Sequence, residues 1–105
     1  MENLSIEPVI TRLVAAAVGP SYVMRMPTGR QVAAARALLG WTQEKLSKNS
    51  GLSPSSVQRA EQAGDQIPGM RTGSLFAMVR TLEQAGIVFI DAGEHGGVGV
   101  RLRRS

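Results

Sequence analysis

The sequence contains no cysteine, and this absence excludes disulfide bonds, thiolate metal sites and cysteine nucleophiles. Aromatic residues make up only 4% of the 105 residues. No apolar run approaches the roughly 20 residues that a membrane-spanning helix needs. One histidine, His95, and scattered carboxylates form no acid–base or nucleophile constellation, so we expect no enzyme, no cofactor and no metal site. Glu2 and Glu7 precede the first apolar stretch, where a secretory leader would be basic, so we expect a cytoplasmic protein.

Basic residues outnumber acidic residues in the chain. Twelve Lys and Arg face eight Asp and Glu, which gives a formal net charge of +4. This excess favours acidic partners such as nucleic acid, although a basic protein without such a partner has the same composition. Hydrophobic residues at 43% and charged residues at 19% are typical of a globular domain.

The first third of the chain has the apolar spacing of two helices. Residues 5–18 predict an N-terminal amphipathic helix, and the prolines and glycines that follow predict a linker, so that this unit spans residues 1–28. Residues 30–39 predict a second helix with Val32, Ala35 and Leu39 on one face, Leu38 beside it, and Gly40 just after its end.

Residues 43–61 predict two short helices separated by a sharp bend. Thr42 is placed to cap the first, and Ser53 followed by Pro54 is a favoured start for the second. Gly51 can adopt a positive φ, so the chain can turn within very few residues. Ser47, one helical turn earlier, is small enough to let the helices approach. This pattern predicts a helix-turn-helix.

The second helix of this pair has an unusual outer face. Leu46, Leu52, Val57 and Ala60 are expected to pack between the helices, which leaves a polar outer side. That side carries short or hydrogen-bonding groups where a surface helix usually carries Glu and Lys, and such groups suit base edges and phosphates. Its members are Ser55, Ser56, Gln58 and Arg59.

The last third of the chain predicts one strong helix and two strands. Residues 74–85 place Leu75, Met78, Val79 and Leu82 on one stripe, with Thr72 or Ser74 as the expected N-cap. The runs at 87–90 and 98–102 have strand character and a turn-rich segment between them. We therefore expect a mainly α fold of four or five helices, with a helical domain at 29–86 and a C-terminal β-hairpin at 87–105.

The stretch ARALLGWTQEKLSKNSGLSPSSVQRAE resembles the helix-turn-helix domain of the phage repressor and Cro class, the XRE family. The resemblance covers about 60 residues, from 30 to 91, and implies a lambda-repressor-like fold that binds double-stranded DNA sequence-specifically. By position, it implies that Gln43 contacts a phosphate and that Arg71 lies in a loop over phosphate. It also implies that the major groove is faced by Pro54, Ser55, Ser56 and Arg59.

Several positions have two interpretations. Arg59 can read guanine or bind phosphate, and Gln58 can face DNA or point away from it. Arg36 and Glu61 are favoured as an ion pair between helices rather than as DNA contacts. Trp41 is favoured as a packing residue rather than as a platform for base stacking.

The sequence allows two classes of function. The first is a transcriptional repressor that dimerises through its C-terminal strands, because a hairpin with one wholly apolar strand needs cover. The alternative is a protein-interaction module, such as an antitoxin that masks a toxin, for which the helix at 5–18 and the strand at 87–90 would serve. For Arg101, Arg103 and Arg104, a solvated strand face and tail is favoured over phosphate contacts.

Overall fold

The computed structural model of the protein describes residues 26–104, and these residues form a mainly helical domain that ends in a hairpin. The elements are α1 (Gly29–Leu38), α2 (Gln43–Ser50), α3 (Pro54–Gln62), α4 (Thr72–Gln84), β1 (Ile87–Ile90) and β2 (Gly99–Leu102). The expected fold class is confirmed. The helix expected at 5–18 lies outside the described residues.

Short polar side chains begin three of the helices. The hydroxyls of Thr42 and Ser53 accept hydrogen bonds from the backbone N–H groups of Lys45 and Ser56, so both expected caps are confirmed. Thr28 caps α1, and its partner Gln31 completes a capping box that the sequence analysis did not identify.

The expected cap of α4 was wrong. The carbonyl of Arg71 already accepts the first intrahelical hydrogen bond, from the N–H of Leu75 at 3.1 Å, so Arg71 is the N-cap and Thr72 is helical. No side chain caps this end. Ser74 lies a further two residues inside the helix.

One hydrophobic core joins the four helices to the hairpin. Its buried members are Val32, Ala35, Leu46, Val57, Ala60, Leu75, Met78, Leu82 and Ile87. The apolar stripes expected on the helices supply all but the last, while Ile87 brings β1 into the same core. Leu38 lies outside it and is 45% exposed.

The hairpin is antiparallel and covers the core with one face. Phe89 pairs with Val100 and Ile87 with Leu102, and these side chains pack on the helices. The opposite face carries Ile90 among its members, 37% exposed. The apolar strand thus receives cover on one face from its own chain.

A buried glutamine fastens the hairpin to α1. The Nε2 group of Gln31 donates to the carbonyl of Ile90 at 3.2 Å and to that of Gly99 at 2.9 Å, so one amide bridges both strands. Its Oε1 accepts from the N–H of Thr28 at 3.0 Å. Gln31 is only 5% exposed, and these bonds satisfy its donors and its acceptor.

Candidate nucleic-acid interface

The bend between α2 and α3 is built from Gly51 and Ser47. Gly51 has a φ of 78°, the left-handed conformation that glycine adopts without a Cβ clash, and its N–H donates to the carbonyl of Ser47 at 3.0 Å. The Ser47 hydroxyl donates to the carbonyl of Leu52 at 2.5 Å across the turn. Only three residues therefore separate the end of α2 from the start of α3, as the sequence predicted.

The polar edge of α3 is exposed. Val57 and Ala60 turn into the core, while Ser55, Gln58 and Arg59 lie on the solvent side. Gln62 shares this side, four residues after Gln58 and so one turn further along, although the sequence analysis did not include it. Its spacing of four residues from Gln58 would have placed it on the same face of the helix from sequence alone. The polar edge of α3 is thus free to enter a groove of duplex DNA.

Pro54 and Ser56 differ from their neighbours on this helix. Pro54 is exposed at the first position of α3 but carries no hydrogen-bonding side chain. Ser56 is half-buried, and its hydroxyl lies 3.0 Å from the hydroxyl of Ser53, within the cap. Both lie at the start of the helix, beside the exposed edge.

Arg59 and Arg71 are exposed cations without protein partners. The guanidinium of neither residue makes a hydrogen bond or an ion pair with any residue between 26 and 104. Arg71 lies at the start of α4, after the loop that follows α3. Lys45 and Lys48 are exposed on α2 as well. An unpaired guanidinium can bind phosphate or read guanine without breaking an internal contact.

Arg36 and Glu61 form the ion pair expected between α1 and α3. The guanidinium Nε and Nη2 donate to the two carboxylate oxygens at 2.7 and 3.0 Å, and Nη1 donates to the carbonyl of Trp41 at 2.8 Å. The side chain of Glu61 is only 8% exposed. The hydrogen bond to Glu61 raises the pKa of Arg36, against the lowering effect of burial. Trp41 packs against the core, as expected.

Gln43 joins this ion pair through its side-chain amide. Its Nε2 donates to the Oε1 atom of Glu61 at 2.9 Å, a contact that the sequence analysis did not foresee. Gln43 is also the first residue of α2, where the backbone N–H groups of the first turn lack intrahelical partners. The residue expected at phosphate is thus held from inside the domain and lies at a helix start that favours anions.

Charged groups outside this surface make local contacts within the described part. His95 lies 3.3 Å from Glu94 in an exposed loop, and residues 26–104 hold no cluster of three or more metal-ligating side chains. The guanidinium of Arg103 donates to the carbonyl of Glu83 at 3.1 Å, which ties the end of β2 to α4. No helix in this region has the length and hydropathy of a membrane span.

Comparison with known proteins finds a family match for the central part of the chain. Residues 32–77 match the family model described as helix-turn-helix. This segment runs from the first turns of α1 into α4 and includes the bend and the whole of α3. No curated protein matches the chain.

Proposed function

We propose that the protein is a sequence-specific regulator of transcription, because residues 32–77 match the helix-turn-helix family model and resemble the DNA-binding domains of the XRE type. The observation that carries the proposal is the exposed polar edge of α3, held outward by the bend at Gly51. A free edge of hydrogen-bonding side chains on a helix is what the major groove admits.

The proposed interface divides its contacts between bases and phosphates. Ser55, Gln58 and Arg59 read base edges from α3, and Pro54 and Ser56 lie beside them at the entrance to the groove. The start of α2 with Gln43, and Arg71 at the start of α4, bind phosphates and set the register on the duplex. The unpaired state of both arginines supports this division.

We further propose that the protein acts as a repressor in the cytoplasm, by occupying its operator as a homodimer. A two-fold dimer presents two recognition helices about 34–36 Å apart to a near-palindromic site. The exposed face of the hairpin is the surface that we assign to the contact between subunits. Double-stranded DNA and a second copy of the chain are the expected partners.

Selection of bound duplexes from a random pool, at a stated salt concentration, tests the proposal. We expect one enriched sequence with two-fold symmetry. Retention of all sequences to the same extent would leave a non-specific DNA binder, and retention of none would contradict DNA binding itself.

Replacing Arg59 by alanine tests the role of α3 on the selected operator. We expect discrimination at one base pair to fall by about 1–3 kcal/mol, because a bidentate contact to guanine is lost. Arg30→Ala is a charge-matched control at an exposed position of α1 and should leave the preferred sequence unchanged. If Arg59→Ala weakens binding to all sequences equally, Arg59 contacts phosphate only.

A further inference from the structure

The carboxylate of Glu61 accepts hydrogen bonds from two side chains behind the candidate interface, those of Arg36 and Gln43. We propose that Glu61 is a positioning residue, which fixes the side-chain amide of Gln43 in the orientation that binds phosphate. The inference rests on the proposed DNA-binding function, and it gives Glu61 a role in binding that its ion pair with Arg36 does not require.

The geometry leaves the amide one orientation. Oε1 of Glu61 accepts from Nη2 of Arg36 at 3.0 Å and from Nε2 of Gln43 at 2.9 Å. If the Gln43 amide turned over, its carbonyl oxygen would face the carboxylate, and two acceptors would meet without a proton between them. The carboxylate is itself held by the second hydrogen bond from Arg36.

This orientation leaves a donor available. An amide nitrogen carries two N–H groups, and only one of them is used by Glu61. The second has no acceptor among residues 26–104, and Gln43 is the first residue of α2, where the backbone N–H groups of Gln43 and Glu44 have no intrahelical partner. An amide that is oriented before DNA arrives does not lose rotamer freedom on binding.

A double-mutant cycle on the selected operator tests the proposal. One arm replaces the ion pair by Arg36→Met with Glu61→Met, which keeps the net charge and strands no buried charge. The other arm is Gln43→Ala. We expect the pair replacement to weaken operator binding about fivefold when Gln43 is present, the value of one hydrogen bond. It should have no further effect when Gln43 is alanine.

A matched control is the exposed pair of Arg30 and Asp65, whose side chains are 74% and 73% exposed. Replacing both by methionine also keeps the net charge and should leave operator affinity unchanged. If the Arg36 and Glu61 replacement weakens binding equally with and without Gln43, Glu61 acts on the fold alone and the inference is wrong. A wild-type protein that binds no duplex would refute the proposed function as well.

A measurement on the wild-type protein without DNA tests the inference independently of operator binding and of any substitution. The heteronuclear NOE of the Gln43 side-chain amide should be close to that of the backbone. The exposed Gln58 and Gln62 provide mobile references on α3. A Gln43 amide as mobile as these two would overturn the inference even if the protein binds its operator.

Discussion

Gly29 brings the backbones of two helices into contact. Its N–H donates to the carbonyl of Gln66 at 3.0 Å, and the N–H of Arg30 donates to that of Gly64 at 2.8 Å, so the start of α1 lies against the end of α3. A Cβ atom at Gly29 would overlap the carbonyl oxygen of Ala60 and lie 2.9 Å from the nitrogen of Gly64. Both are backbone atoms, which cannot move aside as a side chain can.

We expect Gly29→Ala to lower the free energy of unfolding by about 1–3 kcal/mol, because the helices must separate to admit one methyl group. Gly73→Ala is the control, since Gly73 lies in α4 with no atom within 4 Å of an added Cβ. That change should stabilise the protein by about 0.4–1 kcal/mol. Urea unfolding measures both. Equal effects would mean that the contact at Gly29 relaxes freely.

The elements differ in how far their sequence determines them. The caps at Thr42 and Ser53 and the turn at Gly51 involve neighbours in the chain, so local chemistry was enough to predict them. The clamp made by Gln31 involves carbonyl groups 59 and 68 residues away. A contact of this kind depends on how the hairpin packs against α1, and no residue pattern within α1 predicts it.

Gln31→Glu tests this clamp. The carboxylate can still accept the hydrogen bond from Thr28, but it places negative charge against two carbonyl oxygens in a buried position. We expect a loss of about 1–3 kcal/mol in the free energy of unfolding. Amide exchange should become faster in β1 and β2 than in the centre of α4. The exposed Gln66 offers a control, and Gln66→Glu should leave hairpin exchange unchanged.

In the candidate site, too, some features could be predicted from the sequence and others depend on how the helices pack. The exposed polar edge of α3 could be predicted from helical spacing, and the pair of Arg36 and Glu61 from the resemblance to repressors. The inward bond of Gln43 could not, because it requires the relative placement of α2 and α3 at atomic detail. Placement of the expected DNA contacts on a duplex stays a prediction.

At the scale of the whole molecule, the proposed dimer needs an exposed surface on the hairpin. Ile90 lies on the face of β1 opposite to Phe89 and is 37% exposed. We expect the wild-type protein to sediment as a dimer at micromolar concentration and Ile90→Arg to sediment as a monomer, because a buried, unpaired guanidinium opposes the contact.

Ile67→Arg is the control for this substitution, since Ile67 is 53% exposed in the loop between α3 and α4. It should remain a dimer. A wild-type protein that is monomeric, with slowly exchanging hairpin amides, would show that the hairpin needs no partner and would refute this interface.

The first turn of α1 contacts two separate parts of the domain. Gln31 binds the hairpin, and Gly29 lies against the end of α3. A protein truncated after Gly86 would therefore lose more than its proposed dimer contact. It would remove both acceptors of the Gln31 amide and the core residue Ile87, and so loosen the first turn of α1, which supports the C-terminal end of α3. Removing the hairpin should change how the domain holds DNA even when it binds as a single copy.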